Sequence, residues 1–195
     1  MNIQTFVGSA ISPYIPDLAR LRMQVFRAFP YLYDGDEAYE ARYLATYAAS
    51  PDSLFVLCLD GDRIVGASTG MPMRDETAAV KAPFLASGRD PDRIFYFGES
   101  VLLDAYRGRG VGVRFFEERE AHARRLGGLA VMAFCAVERP ADHPSRPAGY
   151  QPLHAFWRKR GFTPHPELVA HFAWKDIGDT TETEKPLSFW LKDIA

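Results

Sequence analysis

Cysteine is scarce, at two among 195 residues. That is too few for the disulfide framework on which small secreted domains rely. Both thiols, Cys58 and Cys135, lie in strand-like apolar runs, which fits buried residues in a reducing cytosol. Charge of one sign is also missing: 23 basic against 25 acidic residues leave a formal net charge of −2. No global field therefore gathers nucleic acid or anionic lipid. Long apolar runs are absent too. The longest, Leu129 to Val137, has nine residues, whereas a membrane-spanning helix needs about 17–25. The first residues, MNIQTFVGSAISPYIPD, lack the basic start and apolar stretch of a signal peptide. No repeat or low-complexity tract is visible. The histidines (122, 143, 154, 165 and 171) show neither H-x-x-x-H nor Cys-x-x-Cys spacing, so no metal site is expected.

What is present is apolar material: 47% of the chain is hydrophobic and 13% aromatic. That suffices to bury a core at a length within the usual range of one domain, roughly 50–250 residues. A soluble, cytoplasmic, single domain over residues 1–195 is the expectation.

Hydrophobic period and turn residues divide the chain. Residues 1–11 read as a strand, and Ser12-Pro13 opens a helix ended by Pro30. Asp36 is placed to cap a second helix. Asp60-Gly61-Asp62 between two apolar runs, 54–59 and 63–70, is a hairpin signal. Residues 75–92 hold room for one short helix. Strand 93–103, broken by Gly98, leads to helix 112–126, which Gly127-Gly128 stops. Strand 129–137 is apolar on both faces, as central strands are. A proline-rich loop, helix 152–160 and two strands near 162–175 and 186–192 close the chain. The strand–helix–strand unit at 93–137 implies a parallel pair and the hairpins antiparallel ones. The predicted class is α/β (α+β): a mixed sheet of about six to seven strands flanked by helices.

The chemistry concentrates in Glu99-Ser-Val-Leu-Leu-Asp-Ala-Tyr-Arg-Gly-Arg-Gly-Val-Gly-Val113. A strand runs into a glycine-rich turn that opens a helix. Glycine permits positive φ and close ligand approach, and the unpaired N–H groups of a helix start attract anions. A phosphate site at residues 108–113 follows. The Rossmann spacing fails, because the third glycine comes one residue early, and the Walker lysine is missing.

What fits is R-x-x-G-x-G, as Arg107, Gly110 and Gly112, after Val101-Leu102-Leu103 and Tyr106. This resembles the acyl-CoA-binding motif of the GNAT superfamily of N-acetyltransferases. Ala155-Phe-Trp-Arg-Lys-Arg-Gly-Phe162 resembles that family's helix ending in aromatic-x-x-x-Gly-Phe, and the element order agrees. The resemblance implies that the N–H groups of Gly108, Arg109, Gly110, Val111, Gly112 and Val113 hold the pyrophosphate of acetyl-CoA. Main-chain groups near Ser100 and Leu102 would pair with the pantetheine arm in a gap where the two parallel strands splay apart. Gly98 is consistent with a bulge starting that splay. An N–H in the Leu102–Leu103 region would stabilise the oxyanion.

By the same resemblance, Glu99 takes the amine proton or serves as a substrate-orienting or structural anion. A family tyrosine that protonates the leaving thiolate is replaced here by Trp157, which packs in the core or beside the cofactor. An indole cannot give up a proton, so Tyr150 and Tyr96 are the substitutes, each weighed against a core or rim role. Cys135 as a nucleophile is weighed against an inert buried thiol. The arginines and His143 of loop 138–147 are weighed as acceptor or CoA contacts against a rigid surface loop. Tyr31, Tyr33, Asp34, Asp36 and Glu37 border the acceptor in the family, and carboxylates with tyrosines suit a cationic amine. The implied activity is acetyl transfer to a small amine or peptide amine acceptor in a ternary complex. The alternative is a non-catalytic acyl-CoA-binding module. No nucleic-acid or membrane partner is expected, and a homodimer is compatible with the sequence.

Overall fold

The computed structural model describes residues 1–194. Seven strands form one sheet: β1 (Asn2–Val7), β2 (Leu54–Asp60), β3 (Arg63–Pro72), β4 (Ile94–Leu102), β5 (Val131–Val137), β6 (Thr163–Trp174) and β7 (Thr183–Asp193). Their order is β1-β2-β3-β4-β5-β7-β6. Only β4 and β5 are parallel; the other neighbours run antiparallel. The seven-stranded mixed sheet flanked by helices is the predicted class. Five α-helices are described: α1 (Ile15–Phe26), α2 (Glu37–Ala49), α3 (Ala78–Ala86), α4 (Val111–Leu126) and α5 (His154–Arg158). None is long and apolar enough to cross a membrane.

Local chemistry explains the boundaries. Pro16 in the first turn starts α1, and the Asp36 side chain accepts the Tyr39 N–H at 2.8 Å to cap α2. Gly61, at φ 60°, turns the β2–β3 hairpin. The first strand is shorter than residues 1–11. Gly8 at φ 55° breaks the extended run, and residues 8–14 form a 3₁₀ segment containing Pro13. The helix predicted over 152–160 shrinks to α5, with Tyr150 left in the preceding loop.

Both sheet faces are covered. On one, Leu18, Leu21, Leu44 and Tyr47 of α1 and α2 pack on Leu57, Met71 and Val101. On the other, Phe116 of α4 meets Phe95, Phe97, Met132, Phe134 and Phe162, with Phe156 and Trp157 of α5 against them. Burying aromatics of this size supplies most of the drive to fold.

Candidate active site

The parallel ladder between β4 and β5 is short. It pairs Ile94, Phe95 and Tyr96 with Val131, Met132 and Ala133, and then stops. β4 continues to Leu102 on β3, and β5 continues to Val137 on β7. Two central strands thus part company after Tyr96 and Ala133, leaving a V-shaped gap with backbone on both sides.

A bulge coincides with this parting. Ser68 of β3 pairs with Ser100, but Gly70 pairs with Phe97, so Thr69 faces both Gly98 and Glu99. The extra residue switches side-chain parity. Phe95 and Phe97 pack toward α4, and strict alternation would send Glu99 after them. Instead Glu99 points to the α1–α2 face, where it meets Arg22 and where Val101 also packs. Gly98 is required here: a Cβ would collide with Thr69 Oγ1 at 2.7 Å and with the Tyr47 hydroxyl. Fully buried Arg119 of α4 ties the bulge down, donating to Thr69 O at 3.3 Å, Glu99 O at 3.1 Å and Ser100 Oγ at 2.8 Å. Its ring partner is Phe97, 4.2 Å from the guanidinium carbon. Burial pushes Arg119 down to about 9, which still leaves it a cation at neutral pH.

Ladder alternation fixes where the β4 amides point. The Leu103 N–H donates to Val65 O at 3.0 Å. In an antiparallel pair, groups alternate between facing the partner and facing away. The N–H and C=O of Ser100 and Leu102 therefore face the gap, while Val101 and Leu103 serve β3. Of the two amides expected near an oxyanion, only that of Leu102 is open to the gap.

The glycine-rich turn leads from the tip of β4 into α4. Gly108 and Gly110 have φ of 74° and 82°, and Gly110 is the N-cap of α4. Nothing lies within 4 Å of a Cβ built at either, so the space beside them is open. Among the described residues, no hydrogen bond engages the N–H groups of residues 108–112. The Val113 N–H is different: it closes the first turn onto Gly110 O at 3.0 Å. Arg107 points into solvent and pairs with Asp104 at 2.9 Å. Five donors at a helix N-terminus, where the helix dipole is positive, can cradle a diphosphate.

Across the gap the α1–α2 face is polar and buried. Glu99 is 8% exposed and Glu40 is 0% exposed, and both meet the Arg22 guanidinium. Burial works against the Arg22 cation, but Glu99, Tyr43 and Glu40 outweigh it and hold the arginine firmly charged. The Tyr43 hydroxyl lies 3.4 Å from Glu99 Oε2 and 3.1 Å from the Tyr47 hydroxyl, and Tyr47 donates to Glu76 Oε1. Burial raises the Glu76 carboxyl above its ordinary value. Tyr96 reaches across the fork to Cys135 Sγ at 3.1 Å. Burial pushes Cys135 up to about 12, so it is a neutral thiol and no nucleophile.

The remaining candidates fall elsewhere. Trp157 packs on Phe134 and Trp190, with ring centroids 5.1 and 5.0 Å away. Tyr150 sets its ring edge-to-face on Phe29 at 4.7 Å, under Arg146. Arg139 is a strut: it grips Asp176 through both oxygens at 2.7 and 2.9 Å and the carbonyls of Pro30 and Tyr31 at 2.8 Å. Asp34 pairs with Lys175 at 3.0 Å and Arg27 at 3.3 Å, and Asp36 is spent on the α2 cap. Sequence reasoning missed Arg22, Glu40, Tyr43, Tyr47 and Glu76. No local motif marks them, since the fold alone brings them to Glu99.

The model of the acetyltransferase (GNAT) family matches residues 17–162. No curated protein matches the chain by sequence. Solved structures share the fold. A ribosomal-protein-alanine N-acetyltransferase from Brucella melitensis superposes with a TM-score of 0.63 at 14% identity, covering 99% of both chains. An aminoglycoside 6′-N-acetyltransferase complexed with coenzyme A gives 0.59 at 16% identity, covering 100% of this chain and 98% of that one. The yncA protein of Salmonella typhimurium, solved with its cofactor acetyl-CoA, gives 0.57 at 12% identity over 100% and 95%. With the family model spanning α2, the fork and the glycine turn alike, the chain belongs to the GNAT acetyltransferase family.

Proposed function

We propose that this protein transfers the acetyl group of acetyl-CoA to an amine by direct attack in a ternary complex. The observation that carries the reading is the row of five unclaimed N–H groups at 108–112, continuous with the outward-facing main chain of Ser100 and Leu102. The turn suits the diphosphate, and the β4 edge suits an extended amide-bearing arm, which pairs there as a missing strand would. The Leu102 N–H polarises the thioester carbonyl and stabilises the negative charge that forms as the amine adds.

Glu99 acts as an anion that draws in and aligns the acceptor ammonium, and its ion pair with Arg22 fixes its position. Tyr96 donates a hydrogen bond to the departing sulfur from the fork. Its burial holds the phenol proton in place. A full proton transfer is unnecessary, because a thiol with a pKa of about 8.5 is an adequate leaving group. Tyr150 stays on the rim. The test is thiol release from acetyl-CoA against a panel of amines, amino acids and peptide N-termini. Release that depends on an acceptor supports the reading. Binding of acetyl-CoA without any release supports a non-catalytic module.

A further inference from the structure

Glu99 is poorly placed to take the amine's proton, since its Oε2, the oxygen nearest Tyr43, is already bonded to the Arg22 guanidinium. A second carboxylate is connected to the same spot. Tyr43 has one hydroxyl hydrogen and two acceptors within reach: the Tyr47 oxygen at 3.1 Å and Glu99 Oε2 at 3.4 Å. The nearer is Tyr47, whose own hydrogen goes to Glu76 Oε1. Tyr43 is half-buried, whereas Tyr47 and Glu76 are buried, so the chain has one accessible end beside Glu99. Its far end lies next to solvent-exposed Arg74 and Thr77, and the Thr77 N–H holds the other Glu76 oxygen at 2.8 Å.

We infer that Glu76 is the terminal base of the transfer, reached from the acceptor amine through Tyr43 and Tyr47. The inference rests on the transferase reading above. The amine N–H gives its proton to the Tyr43 oxygen, Tyr43 passes its hydrogen to Tyr47, and Tyr47 passes its hydrogen to Glu76. Both phenols end neutral, the amine has lost one proton, and Glu76 has gained it. The freed lone pair attacks the thioester carbon, the C–S electron pair leaves with the sulfur, and the second N–H proton of the acylated nitrogen goes to that thiolate, giving the neutral amide and the free CoA thiol. Neither phenol has to exist as a buried tyrosinate, which burial opposes at both positions. Relay of this kind needs short, aligned contacts in a dry site. The charged and titratable groups facing it are Arg22 of α1, Glu40 of α2, Glu99 and Tyr96 of β4, and Lys81 of α3.

The experiment compares two nucleophiles at pH 7: propylamine, which is an ammonium ion there, and hydroxylamine, which is largely neutral. Rates are thiol release from acetyl-CoA, less the rate without enzyme. Glu76→Gln keeps the shape of the side chain and one acceptor oxygen for the Thr77 N–H, while its NH2 can only donate toward the Tyr47 oxygen, so the chain loses its terminal acceptor. It is expected to lower the propylamine rate at least tenfold and the hydroxylamine rate less than threefold. Tyr43→Phe, at the half-buried end, is expected to reproduce the split should Tyr47→Phe fold poorly. Equal losses with both nucleophiles, or none in Glu76→Gln, overturn the relay while leaving the transferase reading intact. No release from the wild type with either amine or with the acceptor panel overturns both.

Discussion

The two sides of the β4–β5 fork are made of different material. The glycine-turn side is backbone: amides at 108–112, Ser100 and Leu102, with hardly a side chain involved. The α1–α2 side is side chains drawn from α1, α2, β4 and the segment after β3, held by a buried guanidinium between carboxylates. A backbone site asks of its sequence only glycines and a strand-to-helix turn, so six consecutive residues announce it. A side-chain site asks for residues 22, 40, 43, 47, 76 and 99 to converge, and only the folded chain makes them neighbours. The first side is suited to a constant donor. The second is free to vary with the acceptor.

The largest effect expected from breaking this contrast is on stability. Arg22→Met removes the cation from between Glu40 and Glu99, leaving two carboxylates buried without a counter-charge. A loss of about 3–5 kcal/mol in unfolding free energy is expected by urea denaturation. A loss below about 1 kcal/mol would mean that the α1–α2 side is solvated like an ordinary surface.

Next comes the backbone side. Gly110→Val places a β-branched residue at φ 82°, a conformation costing roughly 1–2 kcal/mol for L residues. It also fills the space a diphosphate would use. CoA affinity, read by isothermal titration, is expected to fall at least tenfold, about 1.4 kcal/mol. The fold survives, because nothing lies within 4 Å of the new Cβ. Undiminished affinity would assign the phosphates elsewhere.

The smallest effect concerns pH. The folded Glu76 carboxyl titrates above its ordinary value of 4.5 because burial disfavours the anion. The folded state therefore holds this proton more tightly than the unfolded chain. The associated stability is fully present below pH 4.5 and is lost as pH rises through the raised folded value. Glu76→Gln lacks this titration, so its melting temperature should gain on the wild type as pH rises from 4.5 toward neutrality. A constant difference across that range would contradict the assignment.

The same division explains what was legible beforehand. The hairpin at Asp60-Gly61-Asp62, the Asp36 cap, the bulge at Gly98 and the 108–113 turn each rest on a local backbone demand that few residue types meet. The strand order was less legible, because β7 inserts between β5 and β6 and adjacency in sequence gives no hint of it. α5 came out shorter than its apolar pattern, with Tyr150 outside it. Glu99 was singled out for its place on the motif strand, but its partner Arg22 lies 77 positions earlier, in a helix with no motif. Of the two arginines of loop 138–147 weighed as ligand contacts, Arg139 is engaged by Asp176 and two carbonyls.

Amide hydrogen exchange along residues 99–113, without and with CoA, tests the central claim most directly. In the free protein the Val101 and Leu103 amides should be protected by β3, and those of Ser100, Leu102 and 108–112 should exchange freely. Added CoA should protect Leu102 and residues 108–112 while leaving Val101 and Leu103 unchanged. Protection of Leu102 before CoA is added, or no change at 108–112 after it, would contradict the account.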